Sequence, residues 1–169
     1  MHDLRRRTLV AAAVVAFADQ VSKSAVVAVL GDGDWSSGLL RLTVVRNPGG
    51  PFGLGAGASM FWTVVTATVV IGAVAVIASG RTVLQPAIAV GAMVGGGIGN
   101  LVDRLARFPG AGGGAAIDWI RLEPYPRVFN VADVALRGGA VVVAIAVVAT
   151  RAQGPPRCRR ARPRSVEQT

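Results

Sequence analysis

The chain has 169 residues, of which 52% are hydrophobic and 16% charged, and it carries a formal net charge of +9. Its mean hydropathy is +0.53, and because ordinary soluble domains carry about 25% charged residues, composition excludes that class and predicts an all-α membrane protein. The basic residues flank apolar runs instead of covering one folded face, so they act as topology determinants with an attraction for anionic lipid, not as a nucleic-acid surface.

A helix needs roughly 20 residues to cross a hydrocarbon core, and the first candidate span covers about 8–30, directly after Arg5, Arg6 and Arg7. RRRTLVAAAVVAFA has the outline of a signal peptide. VSKSAVVAVL, however, carries the apolar character on to Leu30, and removal after Ala18 would leave an odd number of spans, so the segment is expected to stay. Asp19 and Lys23 fall near its middle, four residues apart and on one helical face. An ionisable group at that depth must be paired or turned to the protein interior. The two residues read either as a structural ion pair or as support for a nearby site.

A loop over 31–57 leads to the second span, 58–79, and a short turn holding Arg81 leads to the third, 83–102. Gly91, Gly95 and Gly99 recur every four residues there, giving a smooth face for close helix packing. Gly96, Asn100 and Asp103 form an adjacent stripe. A second long loop over 103–130 ends in FNVADVAL, which opens the fourth span, 131–150. The predicted organisation is a four-helix membrane domain over 1–150 and a basic, disordered cytoplasmic tail over 151–169, whose single Cys158 reads as an incidental reduced thiol.

Arg5, Arg6, Arg7, Arg81 and the arginines from Arg151 to Arg164 all fall on one side of a four-span chain, which predicts cytoplasmic termini. Both Asn-x-x-Asp pairs, Asn100 with Asp103 and Asn130 with Asp133, then lie at the outer boundary. Each asparagine can offer its amide to a carboxylate or a substrate carbonyl. Taken singly, Asn130 also reads as the N-cap of the fourth helix, and Asp103 as a partner of Arg104. Taken together, two aspartates in a partly dry site cannot both ionise easily, so one serves as acid and one as base. That is the chemistry of an aspartic peptidase.

No rival catalytic set stands out. The only histidine is His2, there is no HExxH and no cysteine pair, so neither a metal nor a cofactor is expected. No GxSxG or phosphate loop is present. A small ion-coupled transporter or channel subunit, with Asp19, Lys23, Asp103 and Asp133 as a relay, is a competing class; its carboxylates should be spread through the membrane depth, whereas two of these three cluster at one boundary. A lipid headgroup transferase would need an aspartate-rich metal motif that is missing.

DQVSK at 19–23, RNPGGPF at 46–52, GGGIGNLVDR at 95–104 and FNVADVAL at 129–136 together resemble the bacterial lipoprotein signal peptidases, or signal peptidase II, in the family's order and over essentially all of 8–150. The resemblance implies a monomeric plasma-membrane aspartic endopeptidase. Its partners would be membrane lipids and diacylglyceryl-modified prolipoproteins, cut before the lipidated cysteine. It implies Asp103 and Asp133 as the catalytic pair, with Asp19, Lys23, Asn47, Gly49, Asn100, Arg104, Asn130 and Ala132 at further positions the family retains. It also implies a small β-structured cradle at the outer surface, for which LLRLTVVRN at 39–47 is suitably β-branched, with Trp35 and Trp62 as interfacial anchors. The chain departs from the family at Ser22, usually Thr, at Gly50 and Pro51, usually two alanines, and at Arg137, which stands one turn after Asp133 within reach of that carboxylate or of a lipid phosphate.

Overall fold

The computed structural model describes residues 2–50, 55, 57–79, 86–107 and 114–152. In chain order the elements are helix α1 (His2–Leu30), strands β1 (Asp34–Ser37) and β2 (Leu40–Asn47), helices α2 (Ser59–Ser79) and α3 (Ala87–Val102), a π-helical turn (Asp103–Arg107), strands β3 (Ala116–Leu122) and β4 (Val128–Phe129), and helix α4 (Val131–Ala152). Three helices, α1, α2 and α4, are long and apolar enough to cross a membrane. The third helix has 16 residues, about 24 Å at 1.5 Å per residue and short of a hydrocarbon core of about 30 Å. Arg81, Pro51, residues 83–85, Cys158 and the tail arginines beyond residue 152 lie outside the described residues.

The third helix is the centre of the bundle, with its most extensive packing against α1 and α4. Its glycines explain why. A Cβ on Gly91 or Gly95 would run into the carbonyl oxygens of Thr8 and Ala12 on α1, and one on Gly99 would strike the Asp19 carboxylate. On other faces, a Cβ on Gly96 would come within 2.6 Å of the Ala132 carbonyl on α4, and one on Gly97 within 2.7 Å of Val70 on α2. Each neighbouring helix therefore sits where a side chain is missing, which lets backbones approach to van der Waals contact.

The sheet is larger than the cradle expected from residues 39–47. It is a four-stranded antiparallel sheet in the order β1, β2, β3, β4, so the second long loop supplies half of it. Leu39 and Gly38 turn the chain between β1 and β2, and Gly38 takes a φ of +55°, a left-handed conformation that glycine tolerates without a steric penalty. In β3, AIDWIRL, the apolar and aromatic residues have the high strand propensity expected of a buried sheet. The sheet follows the end of α1 and directly precedes the start of α4, so the end of α1, the end of α3 and the start of α4 share one end of the bundle with it.

Candidate active site

Lys23 organises the inner half of the site. Its Nζ lies 2.7 Å from Asp19 Oδ2 and 2.6 Å from Asp103 Oδ2, and all three side chains are fully buried. One ammonium between two carboxylates leaves a surplus negative charge, which the surroundings answer with further donors. Arg107 Nε approaches Asp103 Oδ1 at 3.3 Å, the Gln20 amide donates to the same oxygen at 3.1 Å, and the Ile117 N–H donates to Oδ2 at 3.1 Å. Asp19 Oδ1 accepts the Ala132 N–H at 2.9 Å, so a carboxylate on α1 caps the first turn of α4, where free N–H groups and the helix dipole favour an anion. Buried ions persist only when paired and hydrogen-bonded in this way.

From Lys23 the polarity passes outward through two asparagines. Lys23 donates to Asn100 Oδ1 at 3.0 Å; since an ammonium can only donate, this fixes the carboxamide orientation and turns Nδ2 toward Asp133 Oδ1, 3.3 Å away. Asn130 does two tasks at once. Its Oδ1 accepts the Asp133 N–H at 2.8 Å, the N-cap geometry for α4. Its Nδ2 is thereby aimed at Asp118 Oδ1, 2.7 Å away, with the Ile117 carbonyl and Asn100 Oδ1 each at 3.0 Å.

Asp118 is the residue that sequence reasoning did not single out. It sits on β3, only 4% exposed, and Asn47 Nδ2 donates to its Oδ2 at 2.9 Å. Asn47 pairs with Ala116 across the β2–β3 ladder, which places Asp118 diagonally beside it on the same face. The Asn47 side chain is held in turn by the Gly49 N–H, 2.9 Å from Oδ1. Burial, and then the charge of Asp133, push the Asp118 carboxyl up to about 6, against the opposing pull of Asn47, Lys23 and Asn130.

Two clefts meet at this point. One, of about 220 Å³, is lined by Val45, Arg46, Asn47, Asp118, Arg127, Asp133 and Arg137 among others. The other, of about 70 Å³, runs between α2, α3 and α4 and is lined by Gly50, Trp62, Thr66, Asn100, Arg104 and Leu136 together with Asn47, Asp118 and Asp133. Asn47 and the carboxylates of Asp118 and Asp133 line both; Asp103 lines neither. Asn100 and Asp103 share a helical face and both meet Lys23, and only the Asn100 amide reaches on to Asp133.

The remaining expected residues take supporting places. Arg104 does not pair with Asp103; its guanidinium donates to the Gly49 and Gly114 carbonyls and to Ser59 Oγ, tying the outer loops to the start of α2. Gly49 is buried between Asn47 and Arg104, and Ala132 is fully buried at the Asp19 cap. Arg137 Nη2 lies 3.1 Å from Asp133 Oδ2, so it reaches the carboxylate. Trp35 is exposed on β1, whereas Trp62 is turned inward, its ring occupying the space a Cβ on Gly50 would need. Glycine at position 50 is thus matched to the indole.

Apolar helices bundled on a glycine-faced helix, with a sheet at one end and the buried carboxylates of Asp118 and Asp133 lining two clefts beside it, define a helical membrane protein with a polar, partly enclosed site. Comparison with known proteins narrows this. A profile for signal peptidase (SPase) II matches residues 11–149. The lipoprotein signal peptidase of Rhodococcus jostii is 38% identical over 149 residues, covering 85% of this chain and 73% of the relative; that of Streptomyces coelicolor is 38% identical over 151 residues, covering 83% and 71%. A solved bacterial membrane enzyme superposes with a TM-score of 0.72 at 25% identity, covering 88% of this chain and 92% of its own. The chain belongs to the signal peptidase II family, and it is a peptidase.

Proposed function

We propose that the protein is a membrane aspartic endopeptidase that removes signal peptides from diacylglyceryl-modified prolipoproteins, cutting before the lipidated cysteine, with Asp118 and Asp133 as the reacting pair. The observation that carries this is the meeting of both clefts at these two carboxylates, while Asp103, the partner expected from the Asn-x-x-Asp spacing, is sealed against Lys23. Asp118 holds the shared proton and gives it to the leaving amine. Asp133, paired with Arg137 and oriented by Asn100, takes a proton from the attacking water. Asn47 and Asn130 hold the Asp118 carboxyl in place. No metal or other cofactor takes part.

The four helices all cross the membrane in this reading. Support comes from the shared location of the outer ends of α1, α3 and α4 beside the sheet, with the π-helical turn extending the short α3, and from the arginines at the opposite end of α1. Both termini are cytoplasmic and the site faces outward at the membrane boundary, where the helix-lined cleft receives apolar substrate. The test is incubation of the purified protein with a lipidated and an unlipidated precursor of the same sequence. Cleavage restricted to the lipidated form is expected; equal cleavage of both refutes the substrate class.

A further inference from the structure

The two clefts differ in character. The narrower one is walled by helix residues, including Trp62, Thr66 and Leu136. The wider one is walled mainly by sheet and loop residues and, among the described residues, holds three arginines, Arg46, Arg127 and Arg137, with no acidic side chain other than Asp118 and Asp133. Arg137 is engaged with Asp133. Arg46 and Arg127 are exposed, on β2 and just before β4. If two carboxylates share one proton, three guanidinium groups leave the wider cleft with a net charge of +2.

A peptide bond held between Asp118 and Asp133 has one flank in each cleft. The apolar signal segment fits the helix-walled side, which leaves the residues following the cysteine to pass along the sheet, beside Arg46 and Arg127. We infer that the arginine-lined cleft selects for an acidic side chain in the residues just after the lipidated cysteine, with Arg46 and Arg127 as specificity residues. This rests on the peptidase reading above. Continuity of the cleft with the reacting pair favours a substrate side chain over the other anion at hand, a phospholipid headgroup, because whatever fills it adjoins the scissile bond.

The test uses the full chain in detergent with neutral lipid and three lipidated precursors that differ only in Asp, Ser or Lys directly after the cysteine. The expected order of kcat/KM is Asp, then Ser, then Lys, with about 3- to 10-fold between the extremes, the scale that two partly exposed ion pairs supply. The spread should shrink as salt is raised. Arg127→Glu brings the cleft to neutral and should collapse the spread, with a gain on the Lys precursor that a misfolded variant cannot show, and Arg46→Gln should narrow it. Equal kcat/KM for the three precursors, or an undiminished spread in Arg127→Glu, overturns the inference. So does a uniform stimulation of all three by phosphatidylglycerol that Arg46→Gln and Arg127→Glu abolish, since the occupant is then a lipid headgroup. Failure to cleave any lipidated precursor would instead bring down the peptidase reading, and this one with it.

Discussion

Replacing Asp103 and Asp118 separately by Asn distinguishes a structural carboxylate from a reacting one. At position 103 an amide keeps one acceptor where the carboxylate serves Lys23, Arg107, Gln20 and the Ile117 N–H. Its NH₂ then faces groups that are themselves donors. Breaking a buried ion pair by removing one partner costs about 3–5 kcal/mol, and at about 2–4 °C per kcal/mol for a chain of this size the melting temperature should fall by roughly 10 °C. Lys23 still keeps Asp19 and Asn100, so the folded fraction should retain turnover. At position 118 the sign reverses. Its folded pKa, about 6, lies above the ordinary 3.8, so the protonated form is the one folding favours, and stability declines as pH rises from about 4 through 6. At neutral pH the buried charge therefore opposes folding by an amount of order 3 kcal/mol. The Asp118→Asn substitution removes that charge. Because Asn130 and Asn47 donate to the two Asp118 oxygens, the new NH₂ also loses an acceptor, which offsets that gain; the variant should melt close to the parent, well above Asp103→Asn, yet lose about 10²- to 10⁴-fold or more in turnover, the contribution of a positioned acid or base. Thermal melting in detergent and cleavage of a lipidated precursor are the two readouts. A well-folded, active Asp118→Asn protein beside a well-folded, inactive Asp103→Asn protein would refute this reasoning and return the pair to Asp103 and Asp133.

Asp133→Asn should also abolish turnover, and the double variant with Asp118→Asn should be scarcely worse than either single one, because residues acting as a unit lose function non-additively; additive losses in single-turnover rates would contradict this. Turnover should fall as pH rises through the Asp118 value, since the leaving amine then lacks its proton donor. Asn47→Ala removes an amide that favours the carboxylate, so it should move that fall to higher pH, and a pH–rate profile displaced to lower pH counts against the assignment. Gly99→Ala should cost both stability and activity, because its Cβ meets the Asp19 carboxylate, whereas Gly138→Ala, with open space around it, should melt at or above the parent by gaining about 1 kcal/mol of helix propensity. Chelators should leave activity intact, and loss in EDTA restored by zinc would defeat the aspartic mechanism.

The helices, the glycine packing face, the Asp19–Lys23 pair and the Asn130 cap were legible in the sequence because each depends on residues at helical spacing within one segment. Asp118 was not. It reaches the site through the pairing of β3 with β2, a contact between residues about 70 positions apart that no local period records. The trace it left was an aspartate inside AIDWIRL, a residue type that strands disfavour set in a run that strands prefer. Asp103 drew attention for the converse reason. Its spacing from Asn100 copies that of Asp133 from Asn130, but the first pair looks toward α1, and only the position of Lys23 in space reveals it. In the sequence the third span starts at Val83 because Val83 and Leu84 are apolar, but Gln85 and Pro86 interrupt the run and the described helix starts at Ala87, after the extended Pro86.

Five of the sixteen residues of α3 are glycine, and each lowers the intrinsic preference for helix by about 1 kcal/mol relative to alanine. Such a segment, already short for a bilayer, has little reason to be a helix by itself; it takes its form from the neighbours that fill its bare faces. During synthesis α3 emerges after α1 and before α4. Until the last helix packs, Gly96 has no Ala132 to meet, Asp19 has no N–H of α4 to cap, and Asn100 has no Asp133 to orient. On the proposed assignment of Asp118 and Asp133, the reacting pair comes into being only when α4 packs against α3, so a chain without α4 in place should not cleave.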